Sequence, residues 1–173
     1  PALVQKCKEK GIYLIARIVT FKDPYLAEAV PDWSLHNADG TIFRDKDKLA
    51  WVNPYEQQVW DYLVQVAQGA VALGFDEVQF DYIRFSTDRG MKQVDFGAAA
   101  QEKGKTEVIT EFAAYAAGQL HQMGAAVSAD VYGVVIDSAT GQQIVGQDYV
   151  ALGEHLDYIS PMIYPSHYGD GYY

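Results

Sequence analysis

Cysteine is nearly absent: Cys7 stands alone among 173 residues, which excludes a disulfide framework and a cysteine-held metal. Basic residues are also few, 13 against 23 acidic, for a formal charge of −10. No Lys/Arg cluster interleaves with aromatics, and the acidic balance repels a phosphate backbone, so no nucleic-acid partner is expected. Apolar runs are short, none reaching the roughly 18 residues of a membrane span. No signal peptide is visible, because Pro1-Ala2-Leu3-Val4-Gln5-Lys6 reads as part of a helix. His36, His121 and His155 are dispersed, which argues against a histidine metal cluster. No Gly-x-Gly-x-x-Gly turn follows an apolar run, which argues against a bound dinucleotide. No cofactor is therefore expected.

What the chain does have is a core-forming composition, 49% hydrophobic and 13% aromatic, and a regular alternation of patterns. Residues 2–10 read as a helix stopped at Gly11, followed by a β-branched run, Ile12 to Val19, that reads as a buried strand. Thr20 to Asn53, with Pro24, Pro31 and the Asp39-Gly40 turn, is too long for an ordinary loop and is expected to extend over one end of the sheet. Asn53-Pro54-Tyr55-Glu56 has the form of a capped helix start. Val59, Trp60, Leu63, Val66, Ala67, Ala70 and Val71 then recur at helical spacing up to Gly74. Phe75 to Phe85 reads as a strand and its exit, and a polar loop runs to about Gly104. A helix carrying Val108, Ile109, Phe112, Tyr115, Ala116 and Leu120 ends at Gly124. Ala125 to Val131, a short helix near Gln147–His155 and a strand from Tyr158 to Ile163 complete the pattern. This order implies parallel strands, in either an open doubly wound sheet or a (β/α)₈ TIM barrel. Only four strands are visible, so residues 1–173 read as the central part of a single, longer barrel domain.

Strand parity favours the barrel. Successive side chains point to opposite faces, so in Glu77-Val78-Gln79-Phe80-Asp81-Tyr82 the set Val78, Phe80 and Tyr82 is expected to face the covering helices. Glu77, Gln79 and Asp81 then face the axis. Ser128 and Asp130 share that face in the next strand, Ser160, Met162 and Tyr164 in the last, and Tyr13, Ile15 and Arg17 in the first. A structural barrel interior is filled by branched apolar residues, whereas this one is polar. Burying these groups costs several kcal/mol unless they pair with each other or with a ligand. One reading is an Arg17 ion pair with Asp81 or Asp130 that only ties the strands. The other is an active site, because barrel enzymes keep theirs at strand C-termini. Two carboxylates on neighbouring strands suit glycosidic hydrolysis, one protonating the leaving oxygen and the other attacking or stabilising the oxocarbenium centre. Asp81 and Asp130 are thus the candidate catalytic pair. Arg17, Gln79, Tyr164 and His167, with Trp33 and Trp51 of the long loop as possible stacking rings, are the candidate substrate contacts.

The same residues carry a family resemblance. Gly11-Ile12-Tyr13-Leu14-Ile15-Ala16-Arg17-Ile18-Val19 with Phe21-Lys22-Asp23-Pro24, and above all Gly74-Phe75-Asp76-Glu77-Val78-Gln79-Phe80-Asp81-Tyr82-Ile83-Arg84-Phe85, resemble blocks of an uncharacterised bacterial family of glycoside hydrolase domains. Ser128-Ala129-Asp130-Val131-Tyr132-Gly133 and Asp157 to Tyr168 are similar to two more. Ser86 stands where that family usually has proline, and Tyr132 where it usually has phenylalanine. The resemblance implies a TIM barrel with the visible strands as third to sixth of eight, a polysaccharide substrate, and a location outside the cell. A chitinase-like Asp-x-x-Asp-x-Asp-x-Glu pattern would place its glutamate at Ile83, so that mechanism is not implied. An amylase-like arrangement, with one carboxylate after the fourth strand and one after the fifth, fits Asp81 and Asp130 better. Two other functions compete: a barrel that binds glycan or cell-wall polymer without cleaving it, and a fragment that associates through open sheet edges.

Overall fold

The computed structural model describes residues 2–164. In chain order its first elements are α1 (Ala2–Glu9), β1 (Ile15–Val19), α2 (Pro24–Ala29), β2 (His36–Asn37), α3 (Gln57–Ala72) and β3 (Glu77–Asp81). They are followed by β4 (Val94–Asp95), α4 (Ala99–Glu102), α5 (Lys105–His121), β5 (Ala126–Tyr132), α6 (Ala139–Val145), α7 (Tyr149–Gly153) and β6 (Tyr158–Met162). The main sheet runs β1-β3-β5-β6, and every neighbouring pair is parallel. This is a (β/α) barrel segment, with the parallel strands that the alternation of patterns requires. No helix among the described residues is long and apolar enough to cross a membrane.

The outward strand faces form the core. Val78, Phe80, Val127, Ala129 and Val131 are fully buried beneath α3 and α5. Phe112 of α5 centres the packing, edge-on to Phe21, Trp60 and Phe80 at 5.2, 5.9 and 5.4 Å between ring centroids. Such aromatic contacts add about 0.5–1.5 kcal/mol per pair beyond the area they bury. On α3 the buried stripe is Val59, Trp60, Leu63, Val64 and Ala67. Val66, placed on that stripe by spacing, is 43% exposed, because the stripe runs through Leu63, Val64 and Ala67 to the partly buried Val71 and leaves position 66 to one side.

Two expectations about helices need correction. The helix at Asn53 begins at Gln57, since Asn53 Oδ1 accepts from the Tyr55 amide at 3.1 Å and folds residues 53–56 into a turn. Trp60 Nε1 then donates to the Pro54 carbonyl at 2.7 Å and fastens that turn to the helix. Between β5 and α7 an unforeseen helix, α6, starts at Ser138, whose hydroxyl accepts from the Gly141 amide, and stops at Gly146 with φ 78°.

The excursion after β1 is largely non-helical, with two exceptions: the six-residue α2, which Asp23 caps through the amides of Tyr25 and Leu26, and a 3-10 turn at Pro31–Trp33. Its remainder is a twisted antiparallel ribbon bridged at Ser34–Val52, His36–Ile42 and Arg44–Ala50, and β2 pairs with β4. It leaves from the C-terminal end of β1 and so lies on the side where all four parallel strands end.

Candidate active site

Strand register brings the two candidate carboxylates together. Gln79 pairs with Ser128 and Phe80 with Ala129, so the next residues, Asp81, the last of β3, and Asp130, two residues before the end of β5, are neighbours across the two strands. Below them Ser128 Oγ donates to Glu77, whose second oxygen accepts from the Tyr13 hydroxyl at 2.9 Å. Gln79 Nε2 reaches Ser160 Oγ at 3.4 Å. Glu77, Gln79, Ser128, Ser160 and Tyr13 therefore share the inward face that parity assigned to them.

The two aspartates differ in their surroundings. Asp81 is 7% exposed and ion-paired with Arg17, and its Oδ1 accepts from the Tyr82 amide at 2.7 Å. Asp130 is half-buried, and no hydrogen bond or ion pair to its carboxylate is found among the described residues. Burial, and then the negative charge of Asp81, push the Asp130 carboxyl above its ordinary value, with Arg17 acting in the opposite direction. Burial without hydrogen bonding disfavours the charged form, and a like charge adds to that effect.

Tyr82 does not continue the outward set. Its φ is 54°, a left-handed conformation uncommon for a bulky residue. The turn carries its ring to the mouth, edge-on to Trp51 at 6.0 Å. Buried Gln147 holds the two strand exits in place: its Nε2 donates to the carbonyls of Ile83 and Asp130 at 3.1 and 3.3 Å, and its Oε1 accepts from the Tyr132 amide at 3.0 Å.

Beside the carboxylates is a cavity of about 540 Å³ whose lining includes Lys22, Asp45, Trp51, Tyr82, Arg84 and Tyr132. Neither Asp81 nor Asp130 lines it, so the expected common cavity for the pair is not this one. Asp45 organises one wall. It takes hydrogen bonds from Trp51 Nε1 and from the amides of Asp47 and Leu49, each at 3.0 Å, and pairs with Lys22 Nζ at 2.9 Å. Burial alone would raise its carboxyl, but the Lys22 and Trp51 hydrogen bonds bring it below the ordinary value.

Two of the expected sugar contacts are placed otherwise. Trp51 is 1% exposed, with Arg84 and Lys22 over its ring at 5.3 and 5.8 Å, so it packs against protein cations where a stacked sugar was expected. Trp33 lies beside Gln58, Asp61, Tyr62 and Gln65 of α3, away from the carboxylates. Tyr164 is 48% exposed, two residues past β6 on the C-terminal side. His167 lies outside the described residues. The residues missed from sequence were Lys22, Asp45, Arg84 and Gln147. Arg84 carried a legible signal, a lone cation between the apolar Ile83 and Phe85.

The family model of the group described as "Putative glycosyl hydrolase domain" matches residues 1–173. The chain belongs to this family. No curated protein matches the sequence. Among solved structures, a hypothetical protein from Ruminiclostridium thermocellum is 40% identical over 75% of this chain and 64% of its own, with a TM-score of 0.68. An alpha-amylase from Lactobacillus plantarum aligns at 17% identity over 91% of this chain and 34% of its own, with a TM-score of 0.64. The glycoside hydrolase domain of PelA from Pseudomonas aeruginosa does so at 13% identity, covering 93% and 55%, with a TM-score of 0.58. The chain thus spans less than two thirds of the length of each. The last two likenesses concern the fold alone.

Proposed function

We propose that this domain, as the central part of a glycoside-hydrolase barrel, cleaves glycosidic bonds of a polysaccharide with Asp130 as proton donor and Asp81 as the charged partner. The observation that carries the reading is the asymmetry of two carboxylates towards the C-terminal ends of neighbouring strands, one ion-paired and one held unpaired in a half-buried setting. A general acid must keep its proton near the working pH, and environments that push neighbouring pKa values apart mark acid and base. The second group must supply negative charge to an oxocarbenium-like centre. Asp81, oriented by Arg17 and by the Tyr82 amide, is suited to that part. Gln79, which reaches Ser160 on the inward face, and Tyr164, two residues past β6, are proposed as sugar hydrogen-bonding groups.

The competing reading is a glycan-binding barrel in which the Arg17–Asp81 pair only ties β1 to β3. Reducing-end release from a panel of polysaccharides by the full-length protein, compared with Asp81→Asn and Asp130→Asn, separates the two. Hydrolysis abolished by both substitutions supports the enzyme. Glycan binding without hydrolysis supports the alternative.

A further inference from the structure

Arg84 is a buried cation that makes no hydrogen bond or ion pair with the candidate catalytic pair among the described residues. It is 7% exposed, and its guanidinium is stacked among three rings, 4.5 Å from Tyr132, 5.1 Å from Tyr82 and 5.3 Å from Trp51. A guanidinium carries five N–H donors. One, on Nη1, reaches the Phe85 carbonyl at 2.9 Å, and no other acceptor for Arg84 is found among the described residues. Nε and Nη2 are not sealed in protein either, since the one sealed, unpartnered side-chain atom found among the described residues is Thr20 Oγ1. Arg84 lines the cavity of about 540 Å³, a volume within the range of about 300–1,000 Å³ typical of small-molecule sites.

The carboxylates nearby are already engaged. Asp45 and Asp47 both face Lys22, at 2.9 and 3.5 Å. Asp88 accepts from the amides of Lys46 and Gly90, each at 2.8 Å. Arg84 therefore makes no direct ion pair among the described residues; burial pushes its guanidinium below the ordinary value, and Tyr132, Tyr82, Asp81 and Asp45 act against that only through space. A buried charge left this way is costly unless something pairs with it. The group that suits a planar fork of N–H donors is a two-oxygen anion, bound through parallel charge-assisted hydrogen bonds. The rings around it position the fork, and Tyr82 links the cavity directly to Asp81.

We propose that this cavity is a subsite for a sugar bearing an oxyanion substituent, a carboxylate or a phosphate, with Arg84 as the residue that selects it. The assignment deepens the hydrolase reading and rests on it, by making the substrate an acidic glycan. In a chain of net charge −10 the selection cannot come from long-range attraction; Lys22, Lys46 and Arg89 also line the cavity, and Arg84 is the buried cation among them that supplies the fork.

The test is ligand-detected NMR titration of the full-length protein with glucuronate, glucose 6-phosphate, glucose and inorganic phosphate. At least one acidic sugar is expected to bind about ten-fold or more tightly than glucose, and their ranking identifies the substituent. Arg84→Gln should abolish that preference. Should that variant fail to fold, Thr87→Glu places a negative charge at an exposed position on the cavity rim without touching the stacked rings. It should weaken acidic-sugar binding several-fold and leave glucose unchanged. Equal binding of glucose and both acidic sugars would overturn the proposal. So would inorganic phosphate binding as tightly as either, or unchanged acidic-sugar binding in Thr87→Glu. Arg84-dependent binding together with wild-type turnover in the aspartate variants would remove the catalytic assignment alone. Turnover confined to neutral glycans would remove the subsite alone.

Discussion

Replacing Asp130 by asparagine should lower activity and raise stability, a combination that a structural carboxylate cannot produce. The amide is nearly isosteric but cannot donate a proton to a leaving glycosidic oxygen. General acid catalysis contributes about 10²–10⁴-fold, so kcat/KM should fall by that factor, corresponding to about 2.7–5.5 kcal/mol of transition-state stabilisation. The loss should shrink on aryl glycosides, whose leaving groups need little protonation. The stability effect follows from the raised carboxyl. A group whose folded value lies above its unfolded value, here 3.8, contributes stability that is fully present below the unfolded value. That contribution is lost as pH rises through the folded one. Above the unfolded value the fold disfavours ionisation of Asp130, a penalty that asparagine, which does not ionise, removes. Melting curves should show the variant above wild type at pH 7, with the difference closing towards pH 3. Wild-type turnover on alkyl glycosides would refute the acid assignment. A variant that melts lower than wild type at pH 7 would refute the account of its environment.

Asp81→Asn should remove turnover yet destabilise by only about 1 kcal/mol or less, because the Arg17 side chain it leaves unpaired is 53% exposed. A loss of roughly 3–5 kcal/mol, as for a truly buried pair, would show Asp81 to be structural. Asp45→Ala strands Lys22, whose side chain is 14% exposed, together with the Trp51 indole. Urea titration should show a loss of about 3–5 kcal/mol. Since the Asp45 carboxyl lies below its unfolded value of 3.8, its contribution is present above that pH and lost as pH falls through the folded value. Asp45→Asn should accordingly flatten the acid side of the stability profile. At Gly146, with φ 78° and an added Cβ 2.9 Å from both the Lys105 carbonyl and the Phe85 ring, alanine should cost more than the about 1–2 kcal/mol of the left-handed backbone alone, measurable as a lowered denaturation midpoint.

Much of this molecule was determined by local pattern. Period-two alternation assigned Glu77, Gln79 and Asp81 to one face of β3 and Val78 and Phe80 to the other, because strand geometry leaves a side chain only two directions. The same logic placed Ser128 and Asp130 correctly. The order of helix and strand required a parallel sheet, since parallel neighbours need crossovers. Local pattern failed where a single backbone torsion or a distant partner intervened. Tyr82 left the outward face through one left-handed residue, and α3 began three residues later than Pro54 because the Asn53 side chain closed a turn first. Trp33 and Trp51 had equal claims as stacking rings, and only their packing, one beside α3 and the other beneath Arg84 and Lys22, distinguished them. The difference between the two aspartates is likewise tertiary. Both are strand-end carboxylates in sequence, but Arg17, 64 residues before Asp81, ion-pairs with Asp81 and not with Asp130. A pKa depends on the field from every charge nearby and on the solvent each group loses, and neither is a property of neighbours along the chain.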